Sequence, residues 1–167
     1  MSHNSFDAYR YDANFALKVT PLLWLIIIWS IHHSLFLAMS SMAKSGYVFG
    51  VARDYAASAP MLLSDIPGAI VLFTRLNRSP GAGAKIRWLW HHGIKFLILG
   101  LLLSTMATFS HYPVKIIANP ENFVFWIAAA NIGFIAYLSL SRQAREIFAD
   151  FPSPIQEAED NKAANKS

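Results

Sequence analysis

An all-α fold, an integral membrane four-helix bundle with both termini cytoplasmic, follows from three observations on the sequence. Of the 167 residues, 54% are apolar and only 14% charged, and mean hydropathy is +0.35. Soluble domains carry about 25% charged residues, so this chain has too few to clothe a water-facing surface. Four stretches approach the roughly 20 mostly apolar residues that cross about 30 Å of hydrocarbon. The basic residues between those stretches divide unequally between the two sides, and that division sets orientation in a membrane.

A polar segment, residues 1–20, precedes the membrane domain, residues 21–141. The first span, 21–43, opens on Leu22-Leu23-Trp24-Leu25-Ile26-Ile27-Ile28-Trp29, with Pro21 at a first-turn position where its missing N–H costs nothing. The second, 55–74, holds Pro60, Asp65, Pro67 and Gly68. Ser64-Asp65-Ile66-Pro67 reads as a fresh helix start, since Ser and Asp cap free N–H groups and proline suits a first turn. A break at membrane depth is tolerated only beside protein or water, so this span is expected to be interior or kinked. The third span, 88–112, centres on Phe96-Leu97-Ile98-Leu99-Gly100-Leu101-Leu102-Leu103 between the interfacial aromatics Trp88, Trp90 and Tyr112. The fourth, 122–140, lies between Asn119-Pro120-Glu121 and the pair Arg142, Arg145. Beyond it, the tail 142–167 loses apolar periodicity after Phe151-Pro152-Ser153-Pro154 and is expected to be largely disordered.

Charge then orients the spans. Arg10, Lys18, Arg75, Arg78, Lys85, Arg87, Arg142, Arg145, Lys162 and Lys166 share one side, against Lys44, Arg53 and Lys115 on the other. The positive-inside rule places the first group, and with it both termini, in the cytoplasm. Three crossings would separate the basic loop from the C-terminus, a worse fit than four. Ser41-Met42-Ala43 faintly resembles a signal-peptidase site, but its apolar run and polar leader are too long for a signal peptide.

Ionisable groups inside a span are costly and therefore functional candidates. His32 and His33 fall near the middle of the first span and Asp65 near the middle of the second, at similar depth. Consecutive helical side chains point about 100° apart, so one histidine of the pair is expected to face Asp65. His33 flanks the small-residue face Ser30, Ser34, Ala38 and Ser41, which makes it the expected partner and sends His32 elsewhere. Two readings of the pair stand: a polar clip that fixes helix register, or a proton relay whose carboxylate can also orient an imidazole toward a metal.

Arg87, His91, His92 and Lys95 cluster at the cytoplasmic mouth of the third span, either as an anionic-lipid grip or as an ordinary interfacial belt. A haem shared by His33 and either His91 or His92 meets a mismatch of roughly 15 Å in depth. Zero cysteines exclude disulfides, iron–sulfur clusters and thiolate zinc sites. Ser79-Pro80-Gly81-Ala82-Gly83-Ala84-Lys85 lacks the Walker spacing, and no hydrolase triad, zincin helix or carboxylate pair is present. No catalytic residue, metal ligand or cofactor is therefore assigned, and nucleic acid is not an expected partner. Gly100, Ser104 and Thr108, like Ala129, Gly133 and Ala136, offer small faces for helix packing.

Tyr11-Asp12, Leu17-Lys18, Pro21 and Trp24 lead into the first span, followed by a proline-marked second span, an Arg-rich turn and a Leu-rich third span. Over residues 9–145 this resembles the YfeZ-like family of gammaproteobacterial inner-membrane proteins. The resemblance implies a bacterial inner membrane and supplies no catalytic residues. The expected role is a non-enzymatic assembly, scaffold or accessory subunit, with the bilayer, anionic lipids and a membrane protein or second copy as partners. A transport or proton-relay protein using His33 and Asp65 is the first alternative, and a haem or metal redox protein the second.

Overall fold

The computed structural model describes residues 16–42, 55–114 and 118–152. Arg10, Lys44, Arg53, Lys115 and the tail from 153 lie outside them. The described residues form eight helices: α1 (Pro21–Trp29), α2 (His32–Met42), α3 (Ala59–Ser64), α4 (Ile66–Leu76), α5 (Ala84–His91), α6 (Gly93–His111), α7 (Phe123–Leu140) and α8 (Arg142–Ala149). Three stretches are long and apolar enough to cross a membrane: α3 with α4, α6, and α7. The pair α1 and α2 makes a fourth, bent by 69°.

Local chemistry starts α1. Thr20 caps it, its hydroxyl accepting from the Leu23 N–H at 3.3 Å, and Pro21 occupies the first turn. The helix ends at Trp29 although neither proline nor glycine follows. Side chains inserted into the backbone ladder break it. In a continuous helix the Trp29 carbonyl would take the His33 N–H, but it accepts instead from His32 Nδ1 at 2.7 Å. The Ser34 N–H would reach the Ser30 carbonyl, but it donates to Asp65 Oδ2 at 2.6 Å.

The sharp bend therefore belongs to the first span, while the interruption expected at 64–67 of the second falls at Asp65, with Pro67 in the first turn of α4 and no such bend. Asp65 has helical backbone angles (φ −78°, ψ −19°), so α3 and α4 run on as one span. Its carboxylate does not cap its own helix; it satisfies a free amide in the first turn of α2. Gly68 lets α4 approach the bend. A Cβ there would lie 2.2 Å from Ser30 Oγ and 2.8 Å from the Ser30 carbonyl oxygen. Gly68→Ala is accordingly expected to cost about 2 kcal/mol. Gly100→Ala, whose Cβ would meet the Ser64 carbonyl at 3.2 Å, should cost less. Equal thermal unfolding of the two variants in detergent would contradict this packing.

The chain passes between two ends of the bundle. At one end, Arg78 donates to the Leu17 carbonyl and to the Asp150 carbonyl, each at 3.0 Å. At the other, the Tyr55 ring lies 6.0 Å from Tyr112 and 5.5 Å from Phe123. Leu17 lies at the first end and Tyr55 at the second, so α1 and α2 lead from one toward the other; α3 and α4 return, α6 departs and α7 returns. The main core lies toward the Arg78 end, where Leu23, Ile26, Val71, Trp90, Leu97, Leu138 and Phe148 pack together.

Helix α8 corrects the expectation of disorder for the opening of the tail. Ser141 caps it by accepting from the Ala144 N–H, and Ala144, Ile147 and Phe148 bury one face. Of the small face anticipated on the first span, Ser30 is buried, whereas Ser34, Ala38 and Ser41 are exposed. Ala129, Gly133 and Ala136 on α7 are exposed as well.

Candidate functional site

The bend assembles a buried polar centre. His33 Nδ1 donates to Asp65 Oδ1 at 2.8 Å, and the two side chains are 0% and 5% exposed. Asp65 thus accepts with both oxygens, one from an imidazole and one from a backbone amide. The Tyr55 hydroxyl lies 3.2 Å from His33 Nε2 and 3.4 Å from His32 Nε2. His32 stacks against Trp29 at 5.0 Å, and the two imidazole centroids are 3.9 Å apart.

His32 was expected to turn away from this centre, and the geometry corrects that. The 100° argument assumes both residues sit within an unbroken helix. Here they open α2 just after the bend, and the freed Trp29 carbonyl holds the His32 ring inward. Tyr55 joins from outside the spanning helices; its position at the edge of an apolar run gave only a generic aromatic signal.

A second polar node was also missed. Asn131 of α7 is fully buried, accepts from Trp29 Nε1 at 2.8 Å and donates to Ser104 and Thr105 hydroxyls at 3.2 and 3.3 Å. It ties α1, α6 and α7 together. A lone amide within an apolar run is the signal that marks such a node.

The third assembly is the clasp at the opposite end from Tyr55. Arg78, 3% exposed, also pairs with Asp150 Oδ2 at 3.3 Å and lies 4.8 Å from the centre of the Trp90 ring. Asp150 Oδ2 accepts the Leu17 N–H, and Trp90 Nε1 donates to the Ile147 and Asp150 carbonyls at 3.1 and 3.0 Å. Four segments distant in sequence close on this one buried cation.

The basic mouth is arranged differently from the polar centre. Arg87 donates to the Ala82 and Pro80 carbonyls at 3.2 and 2.9 Å, which folds the glycine-rich turn back onto α5. His91 Nδ1 donates to the Phe148 carbonyl, and His92 Nδ1 to the Trp88 carbonyl, each at 2.9 Å. Lys95 is exposed. Among the described residues, no hydrogen bond or ion pair joins Arg87, His91, His92 and Lys95 to one another.

Chemically, the centre of the bundle offers two imidazoles, a phenol and a carboxylate in an apolar interior. His32, His33 and Asp65 each present one ligand atom within 4.8 Å of the others. No family model, curated protein or solved structure matches the chain. What stands on the sequence and the fold is an all-helical chain with three helices, or four with the bent pair, long and apolar enough to cross a membrane.

Proposed function

We propose that the chain is a four-span inner-membrane protein of the YfeZ-like kind, with both termini cytoplasmic, acting as a small non-enzymatic accessory or assembly subunit. One observation carries the topology: Leu17, Arg78 and Asp150 meet at one end of the bundle, which requires an even number of passes. The excess of basic residues at that same end supports its assignment to the cytoplasm. An assembly role fits how the polar residues are used, since Asn131 and Asp65 join helices and Arg78 joins loops. Exposed apolar side chains such as Leu63, Phe73, Met106 and Ile132 give the outside a lipid-compatible surface. Lys95 and His92 add an anionic-lipid contact at the cytoplasmic face.

One observation favours a second reading, a cation-handling transport protein: His33 and Asp65 are in contact near mid-bundle rather than at a surface.

A reporter fused after Ser167 is expected to be cytoplasmic and one inserted beside Lys115 periplasmic; the reverse signals would refute the topology. A photo-crosslinker at Gly133 should give one discrete protein adduct in intact cells that is absent when the crosslinker replaces lipid-facing Phe73. Identical adduct patterns would count against the accessory role.

A further inference from the structure

The polar centre contains more hydrogen-bond acceptors than donors. The Trp29 carbonyl can only accept, so the hydrogen on His32 sits on Nδ1. His33 likewise carries its hydrogen on Nδ1, facing the Asp65 carboxylate. In each neutral ring, Nε2 is then a lone pair. Both lone pairs are directed at the Tyr55 hydroxyl, which has a single hydrogen. Among the described residues, and with both rings neutral, at least one buried imidazole lone pair is thus left without a donor, in residues no more than 4% exposed. An acceptor surplus in an apolar interior calls for a cation.

We propose that His32 Nε2, His33 Nε2 and the Tyr55 oxygen are three ligands of a divalent first-row transition-metal ion of the zinc class, with a fourth position open. Tetrahedral coordination with metal–ligand bonds of about 2.0–2.1 Å places ligands about 3.3 Å apart. The two Nε2 to Tyr55 oxygen separations, 3.4 and 3.2 Å, match two of the three ligand–ligand edges of such a site.

The outer shell is also in place. Metal-bound histidines usually donate their second ring N–H to a carbonyl or a carboxylate. Trp29 supplies the first and Asp65 the second. Asp65 is therefore a positioning residue that holds the His33 ring and places a negative charge beside the ion. On binding, the phenolic proton of Tyr55 leaves for solvent; tyrosinate and carboxylate together then balance the double positive charge. A donor set of nitrogen and oxygen without thiolate suits Zn2+, Co2+ or Ni2+ more than Cu+. This site does not depend on the accessory role and is compatible with either reading of it.

The test uses the full chain purified in mild detergent, with Co2+ as a spectroscopic probe and Zn2+ as competitor. The expected result is a tetrahedral Co2+ band of one ion per chain that Zn2+ abolishes. His32→Gln, His33→Gln and Tyr55→Phe should each weaken Zn2+ binding by about 100-fold, and Asp65→Asn by about 10- to 100-fold. A His91→Gln and His92→Gln double variant should bind like the wild type. No Co2+ band, which is what a centre that takes only a proton would give, overturns the proposal. Undiminished binding in folded His32→Gln or His33→Gln does the same. Should those variants fail to fold, X-ray absorption on the zinc-loaded wild type decides, and fewer than two imidazole ligands refutes the site. Membrane topology has no bearing on these outcomes, so failure here is distinct from failure of the four-span reading.

Discussion

Asp65→Ala is expected to destabilise the protein by about 3 kcal/mol, whereas Asp65→Asn should stay within about 1 kcal/mol of the wild type. The alanine variant strips the buried His33 Nδ1–H and the partly buried Ser34 amide of their acceptor. It also removes the negative group from the first turn of α2, where the helix dipole favours one. Interhelical hydrogen bonds in membranes average only about 0.6 kcal/mol because alternative partners exist in the unfolded reference. The larger figure arises because the bend depends on the Asp65 contact. The asparagine variant keeps an oxygen for the Ser34 amide, and its NH2 can donate to His33 Nδ1 once the ring hydrogen moves to Nε2. Unfolding in mixed micelles measures both costs. Equal losses in the two variants would show that the carboxylate contacts do not support the bend.

Asp150→Ala should be comparably harmful, at about 3 kcal/mol, the low end of the range for breaking a buried ion pair because the Asp150 side chain is 33% exposed. The Arg78 side chain is fully buried and would lose its carboxylate, while the Leu17 amide would lose its acceptor. Combining Arg78→Met with Asp150→Ala should cost less than Asp150→Ala alone, since an apolar side chain of similar length leaves no buried charge behind. The same micellar unfolding measurement, run as a double-mutant cycle, reports this. Additive losses would mean that the two residues act independently.

Much of this fold is legible in the sequence because membrane helices announce themselves locally. The Leu-rich run around Gly100 and the apolar run from Phe123 need no partner to be read as helices. Depth along two such runs also places His33 and Asp65 opposite each other. What escapes is structure created by side chains arriving from elsewhere. Pro67 and Gly68 carry the usual marks of a break, yet the bend lies at Ser30 and Ile31, where His32 and Asp65 take over backbone bonds. The glycine serves close packing on that bend instead. Arg78 looks like one orienting charge among ten, because nothing nearby in sequence shows that Asp150 will meet it. Ala144, Ile147 and Phe148 do form a helical stripe, but Arg142, Arg145 and Glu146 between them mask a segment only 8 residues long.

The clasp also imposes a timetable on biogenesis. Leu17 and Asp150 are separated by 133 positions, and ribosomes add about 5–20 residues per second. The Leu17 amide, just ahead of α1, therefore waits on the order of 10 s for its acceptor to be made. Arg78 emerges midway and lacks its Asp150 partner during that interval. Final closure of the Arg78 end thus depends on completing α8, and a chain truncated before Asp150 would leave the first and last long helices unjoined there.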